Sequence, residues 1–421
     1  MQRNRYFRGS NDLNSLVNFL SGNLFPLGDK GKELGFLSRL WVIIAWSIKV
    51  TYFTSLLLGT FYFAELTTEE VFKRIGGMCA LFVELIVPTA YLNFRRKELE
   101  SLIDQYNLIL IDSDDLRRCV HDTLEPYKKG LKFYMVACFT PACAWSAAPL
   151  LQLINNDQFS YADFTIPAYV PGEPFGKVVF AAGVIFQIFG CCSINLGIIS
   201  VDLYVIHFIA VLAAQYEFVS EEVTRAIRDE KEEKKEQDVI DALYQCIRYH
   251  CSVVRIGQRL ARVLAFYIGA TYFSCILKFC FLAIGAFTLG STNVEKFSYP
   301  VFVCGCIVQV FLICSSVENL LTKSTSVTEN AFYENWYTRS AEVKKIFSIM
   351  EVTNQMECRM SAYGIVELVV PTLALFESAN IEKAAYLSYA LACVLQIFLL
   401  CSCIQELLDV VSFFQHSPIT N

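Results

Sequence analysis

The chain has 421 residues, 55% of them hydrophobic and only 18% charged, with a mean hydropathy of +0.43. Soluble domains average about 25% charged and about 45–50% apolar residues, so a soluble enzyme is excluded, as are collagen-like, disordered and disulfide-scaffold chains. A net charge of −6 supplies no basic face for nucleic acid; the partner implied is a lipid bilayer.

Residues 1–39 are mostly polar and hold no apolar run of signal-peptide length. They predict a cytoplasmic N-terminal segment, with the first membrane helix serving as its own insertion signal. No lipidation motif is present. Stretches of roughly 20 apolar residues, the membrane criterion, follow at 40–64, 75–93, 131–153, 178–212, 261–289 and 299–321. The fourth is longer than a bilayer needs, so its helix is expected to project out of the membrane. A short apolar stretch at 361–376 and a longer one near 385–413 complete the chain.

Orientation follows from Lys and Arg in the connections. The N-terminal segment and the connections after spans two, four and six hold 26 of them, the opposite side three. The N-terminus is therefore predicted to be cytoplasmic, which contradicts a rhodopsin-type receptor. The connections assigned outside contain no Cys and no Asn-x-Ser/Thr sequon, and there is no Cys-x-x-Cys. The 17 cysteines read as reduced, small buried hydrophobes.

With this topology, particular stretches resemble the insect odorant receptor family. Span four runs into Ser200-Val-Asp202-Leu-Tyr204 and then Leu212-Ala-Ala-Gln215-Tyr216-Glu217, similar to the family's long fourth helix. Leu243-Tyr-Gln-Cys-Ile247-Arg248-Tyr249-His250 resembles the segment before helix five. Asn330-Ala-Phe-Tyr333-Glu-Asn-Trp336-Tyr337, Lys344-Lys345 and Gln355-Met-Glu-Cys358-Arg359 resemble the connection from helix six to seven, and Gly364-Ile-Val-Glu367-Leu368 the start of helix seven. The resemblance covers roughly residues 1–376. It implies an all-α, multi-pass membrane helical bundle with seven transmembrane helices, inverted relative to rhodopsin. It also implies a ligand-gated, non-selective cation channel in the plasma membrane: a heterotetramer with an odorant co-receptor, opened by small volatile ligands. Residues 40–321 are then expected to form helices one to six with the ligand-binding bundle, and 322–360 a cytosolic anchor. Residues 361–376 become the start of pore helix seven, with Val369 and Leu373 lining the pore.

The tail departs from that pattern. Residues 294–321 and 381–408 align at a constant offset of 87 with 11 identities in 28 positions, and Gln309-Val-Phe311-Leu312-Ile-Cys314-Ser315 recurs as Gln396-Ile-Phe398-Leu399-Leu-Cys401-Ser402. Residues 377–421 thus read as an anomalous, helix-six-like segment.

Charges inside the spans are costly when unpaired. Lys49 and Glu84 each lie nine residues from the cytoplasmic end of their spans, roughly 13 Å deep, and equal depth favours a structural charge pair over a ligand group. Asp202, in the inner part of helix four, reads as a structural hydrogen-bonding group. Lys278 either faces the pocket or snorkels to the interface. For ligand binding, the orientation selects Met78, Phe82, Trp145, Phe186, Phe273 and Tyr299 in the outer halves of the spans; each has core or lipid contact as its alternative. Trp145 stands out because Ala142, Ala144, Ala147 and Ala148 leave room beside its ring. Arg225–Gln237, a dense mixture of signs, reads as a solvated loop or, failing that, a regulatory site.

No metal cluster, cofactor motif or nucleophile constellation is visible, so no enzyme chemistry is expected. The alternatives are a gustatory receptor of the same superfamily and a multi-pass transporter. The gustatory signature, Thr-Tyr, five apolar residues, then Gln-Phe, is missed in register at Ser388-Tyr389 and Gln396-Ile397. A transporter's internal repeats have only the one-helix repeat of the tail to support them.

Overall fold

The computed structural model describes residues 7, 12–28, 35–59, 68–109, 114–164, 173–228, 236–288, 293–354, 360–362 and 366–367. In chain order these form α1 (Asp12–Ser21), α2 (Phe36–Leu58), α3 (Thr68–Phe94), α4 (Arg96–Ile109), α5 (Asp114–Asn155), α6 (Lys177–Ile227), α7 (Glu236–Thr288), α8 (Asn293–Thr325), the short α9 (Glu329–Phe332) and α10 (Ala341–Asn354). Among the described residues six helices, α2, α3, α5, α6, α7 and α8, are long and apolar enough to cross a membrane. They correspond in order to the six predicted spans.

Three of the six far outrun a bilayer. At 1.5 Å per residue, the 51 residues of α6 extend about 76 Å, against a hydrocarbon core of about 30 Å. The projection expected of span four alone is shared by α5 and α7, which begin at Asp114 and Glu236, well before the stretches at 131–153 and 261–289. The reason is amphipathicity. Along the early part of α5 the buried apolar residues include Leu116, Val120, Leu124, Tyr127, Leu131 and Tyr134, spaced by three and four as one helical face requires. Charged residues on the opposite face mask this stripe from a hydropathy window.

α6 is the central post. Its span is almost wholly buried, whereas α2 exposes Phe36, Leu37 and Ile43; a helix apolar all round belongs inside a bundle. The largest core joins the basic-loop halves of α5, α6, α7 and α8 with α4 and α10. Two glycines let neighbours approach α6 closely. A Cβ on Gly190 would lie 2.2 Å from Cγ of Tyr52 on α2, and one on Gly197 2.5 Å from Cδ1 of Leu85 on α3.

The polar N-terminal segment does not lie free of the bundle. Asn18 and Phe25 exchange two hydrogen bonds, donated by Asn18 Nδ2 and by the Phe25 amide. Asn23 Nδ2 donates to the Gly197 carbonyl at 3.0 Å, and Tyr204 OH to the Pro26 carbonyl at 2.9 Å. Phe7 is buried against Tyr106, His207 and Phe208. Its polar residues serve as partners for backbone that would otherwise be orphaned.

Between α5 and α6, β1 (Gln158–Phe159) pairs antiparallel with β2 (Phe175–Gly176). This hairpin seats Phe159, Tyr161, Phe164 and Phe175 on Phe180 and Val184. Lys177 Nζ lies 2.7 Å from Asp157 and holds that carboxyl below its ordinary pKa. At the opposite end the Asn330–Tyr337 stretch folds onto the helix ends, with Arg228 on Glu334 at 2.6 Å and Trp336 stacked on Phe347. The mixed-charge run straddles the α6–α7 connection, and its Arg225 pairs with Asp115 at 3.0 Å.

Where the start of helix seven is expected, Ser361–Ala362 (β3) and Val366–Glu367 (β4) form an antiparallel pair. Val369, Leu373 and the tail at 377–421 lie outside the described residues.

Candidate functional site

Five helices bring polar side chains together at the middle of the bundle. Lys278 on α7 and Glu84 on α3 form an ion pair at 2.7 Å, each side chain 2% exposed. Gln309 on α8 ties this pair to α6. Its Oε1 accepts from Lys278 Nζ at 2.9 Å, while its Nε2 donates to Glu84 Oε1 and to Asp202 Oδ2, both at 2.8 Å. Asp202 also accepts from Tyr134 OH of α5 at 2.8 Å and from Tyr267 OH of α7 at 2.7 Å. Buried charges persist only when paired and hydrogen-bonded, and here one amide bridges two carboxylates.

The expected Lys49–Glu84 pair is therefore replaced by Lys278–Glu84. Glu84 faces α7 because α3 packs chiefly on α7 and touches α2 only slightly. Lys49 is buried elsewhere; its Nζ donates to the Ser21 carbonyl and sits over the Trp46 ring, 4.8 Å from the centroid. Lys278 does not snorkel. Asp202 has the structural hydrogen bonds expected of it.

Beside this cluster lies a small cavity between α3, α5, α6, α7 and α8. Tyr134, Asn195, Lys278 and Gln309 form its polar side, and Leu81, Cys138, Ile198, Phe302 and Cys306 its apolar side. Only about 10 Å³ is open to the centre of a water molecule, close to the least that holds one water. The side chains must part to admit anything larger.

Of the six ligand-site candidates, Met78, Phe82 and Phe186 gather in one apolar cluster with Tyr52, Leu85, Ile194 and Phe302. Trp145 is half-buried, its ring 6.1 Å from that of Phe302. These four form a layer against the cavity's wall, but none lines it. Phe273 is 60% exposed and points out of the bundle. The Tyr299 side chain lies outside what the structure describes. Sequence reasoning missed Asn195 and Gln309, although the signal was present: uncharged polar residues inside apolar spans face the bundle interior. Among the described residues no cysteine forms a disulfide and no cluster of side chains could hold a metal ion.

The sequence model described as "7tm Odorant receptor" matches residues 67–379, which is most of the chain and includes every residue of the polar cluster. The chain belongs to the 7tm odorant receptor family. Its six long apolar helices fit a multi-pass membrane protein of that family. Putative odorant receptor 92a of Drosophila melanogaster is 23% identical over 158 residues, 37% of either chain. Putative odorant receptor 69a, isoform B, of the same fly is 22% identical over 261 residues, 60% of this chain and 64% of that one. The odorant receptor coreceptor of Anopheles gambiae is 28% identical over 131 residues, 31% of this chain and 27% of that one. The odorant receptor described here aligns with less than two thirds of each of these relatives. In fold it resembles the insect olfactory receptor OR5 from Machilis hrabei in complex with eugenol, with a TM-score of 0.73 at 10% identity over 95% of this chain and 99% of that one. A second structure of the same receptor gives a TM-score of 0.70 at 11% identity, over 92% of this chain and 97% of that one.

Proposed function

We propose that this odorant receptor binds small apolar volatiles in the cavity between α3, α5, α6, α7 and α8 and gates a non-selective cation channel with an odorant co-receptor. The observation that carries the reading is a mid-bundle cavity lined by both apolar and polar side chains in a family member. Sites of this kind gain affinity from apolar burial and orientation from a few polar groups. The Trp145–Phe302 contact supports a gate between the cavity and the apolar cluster around Met78, Phe82 and Phe186. In this reading the protein is a plasma-membrane, multi-pass subunit of a heterotetramer with its N-terminus in the cytoplasm, and Val369 and Leu373 line the pore. The likeness to an odorant receptor coreceptor supports assembly with a related chain, and the likeness to a receptor in complex with eugenol supports a small organic ligand.

The test is cation current in cells expressing the chain with and without a co-receptor, across an odour panel. Odour-dependent current that needs both chains is the expected result. Solute-coupled transport without odour-gated current overturns the proposal.

A further inference from the structure

The polar wall of the cavity has an uneven supply of hydrogen-bonding groups. Lys278 carries three N–H donors, and among the described residues it has two partners, Glu84 and Gln309. Gln309 has committed both amide hydrogens to Glu84 and Asp202. The Asn195 amide reaches only a thiol, Cys191 Sγ, at 3.6 Å. Asn195 Oδ1 and the Tyr134 hydroxyl oxygen remain as neutral acceptors on this wall, but the one charged group it offers the cavity is the remaining Lys278 N–H, and a charged donor makes the stronger hydrogen bond. The carboxylates of Glu84 and Asp202 do not line the cavity; they sit behind Lys278, Gln309 and Tyr134.

Resting on the odorant-pocket proposal, we infer that this wall selects volatiles carrying a neutral hydrogen-bond acceptor, a ketone, ester or lactone oxygen, bound by the free N–H of Lys278 beside Asn195. A carboxylate ligand is disfavoured because the cluster already holds two carboxylates against one ammonium. An amine meets the Lys278 ammonium first. A hydrocarbon fills the space but leaves the third donor unmatched, and a buried unmatched donor is costly.

The experiment measures binding to the purified full chain in lipid nanodiscs, corrected for partition into the lipid, and needs no variant for its first arm. The probes are 2-heptanone, 2-methyl-1-heptene (the carbonyl oxygen replaced by a methylene group), hexanoate and their longer homologues. The ketone is expected to bind roughly ten- to a hundredfold tighter than the alkene, as a hydrogen bond from a charged donor allows, with hexanoate weaker than the ketone. The second arm uses Glu84→Gln/Lys278→Met, which removes both charges together, and the ketone preference should then fall to within about threefold. Equal binding of ketone and alkene, tightest binding of hexanoate, or a preference that survives the double variant overturns the inference while the odorant-pocket proposal stands. Binding of no probe overturns both.

Discussion

Breaking the Lys278–Glu84 pair on one side only should be far worse than removing it whole. Both side chains are 2% exposed and 2.7 Å apart, so a single neutralisation strands a buried charge, at a cost of about 3–5 kcal/mol. Since about 1.4 kcal/mol is tenfold, that lowers the folded fraction by a factor between roughly a hundred and several thousand. The two singles should differ. Lys278→Met leaves Glu84 and Asp202 bridged by one amide with no cation, whereas Glu84→Gln leaves Lys278 its bond to Gln309 Oε1. Lys278→Met is therefore the more damaging, and Glu84→Gln/Lys278→Met should recover much of the loss. Fluorescence-detected size exclusion and thermal melting of solubilised receptor read this directly. Lys49→Met serves as the control: its defect should add to that of Glu84→Gln, because Lys49 bonds Ser21 and not Glu84. If the Glu84 and Lys278 defects add and those of Lys49 and Glu84 couple, the network has been assigned to the wrong lysine.

Gly190→Leu should lower the melting temperature, at a cost of about 1–3 kcal/mol from overpacking, because even a Cβ there meets the Tyr52 ring at 2.2 Å; an unchanged melting curve would place α2 elsewhere. Trp145→Ala should change odorant potency by roughly five- to more than a hundredfold, the equivalent of about 1–3 kcal/mol of burial. The shift should depend on ligand size, since Trp145 acts through Phe302; an equal shift for every odorant on a dose–response panel would refute a role at the cavity. A tag on the N-terminus should survive protease applied outside intact cells and be lost after permeabilisation, as 26 of 29 connection-borne basic residues require; digestion from outside would invert the topology.

The order of the six described spans was legible in the sequence because each contains a continuous apolar run. The projecting parts of α5 and α7 were not, since a one-sided stripe such as Leu116 to Tyr134 averages out in hydropathy. Depth along two helices says nothing about which helices are neighbours, and so Lys49 stood in for Lys278 as the partner of Glu84. Phe273 was misplaced for a reason particular to membranes: outward faces there are apolar, so a large ring is no sign of the interior. On α7 the inward face is marked instead by Tyr267, Thr271, Ser274 and Lys278, spaced by three and four and all buried. The family's motifs located the Asn330–Tyr337 stretch, but the Asn195 and Gln309 amides belong to none of them.

The length of α6 has a mechanical meaning. One unbroken helix carries Asn195 at the cavity and Arg228, braced on Glu334, at its far end. The 33 residues between them span about 50 Å. A tilt of about 5° pivoting at Asn195 therefore sweeps Arg228 through about 4 Å of arc over that length, enough to exchange one set of ion-pair partners for another. In the proposed reading, side chains that part around a ligand at Asn195 tilt this helix, and its long arm carries that tilt to the charges of the basic side.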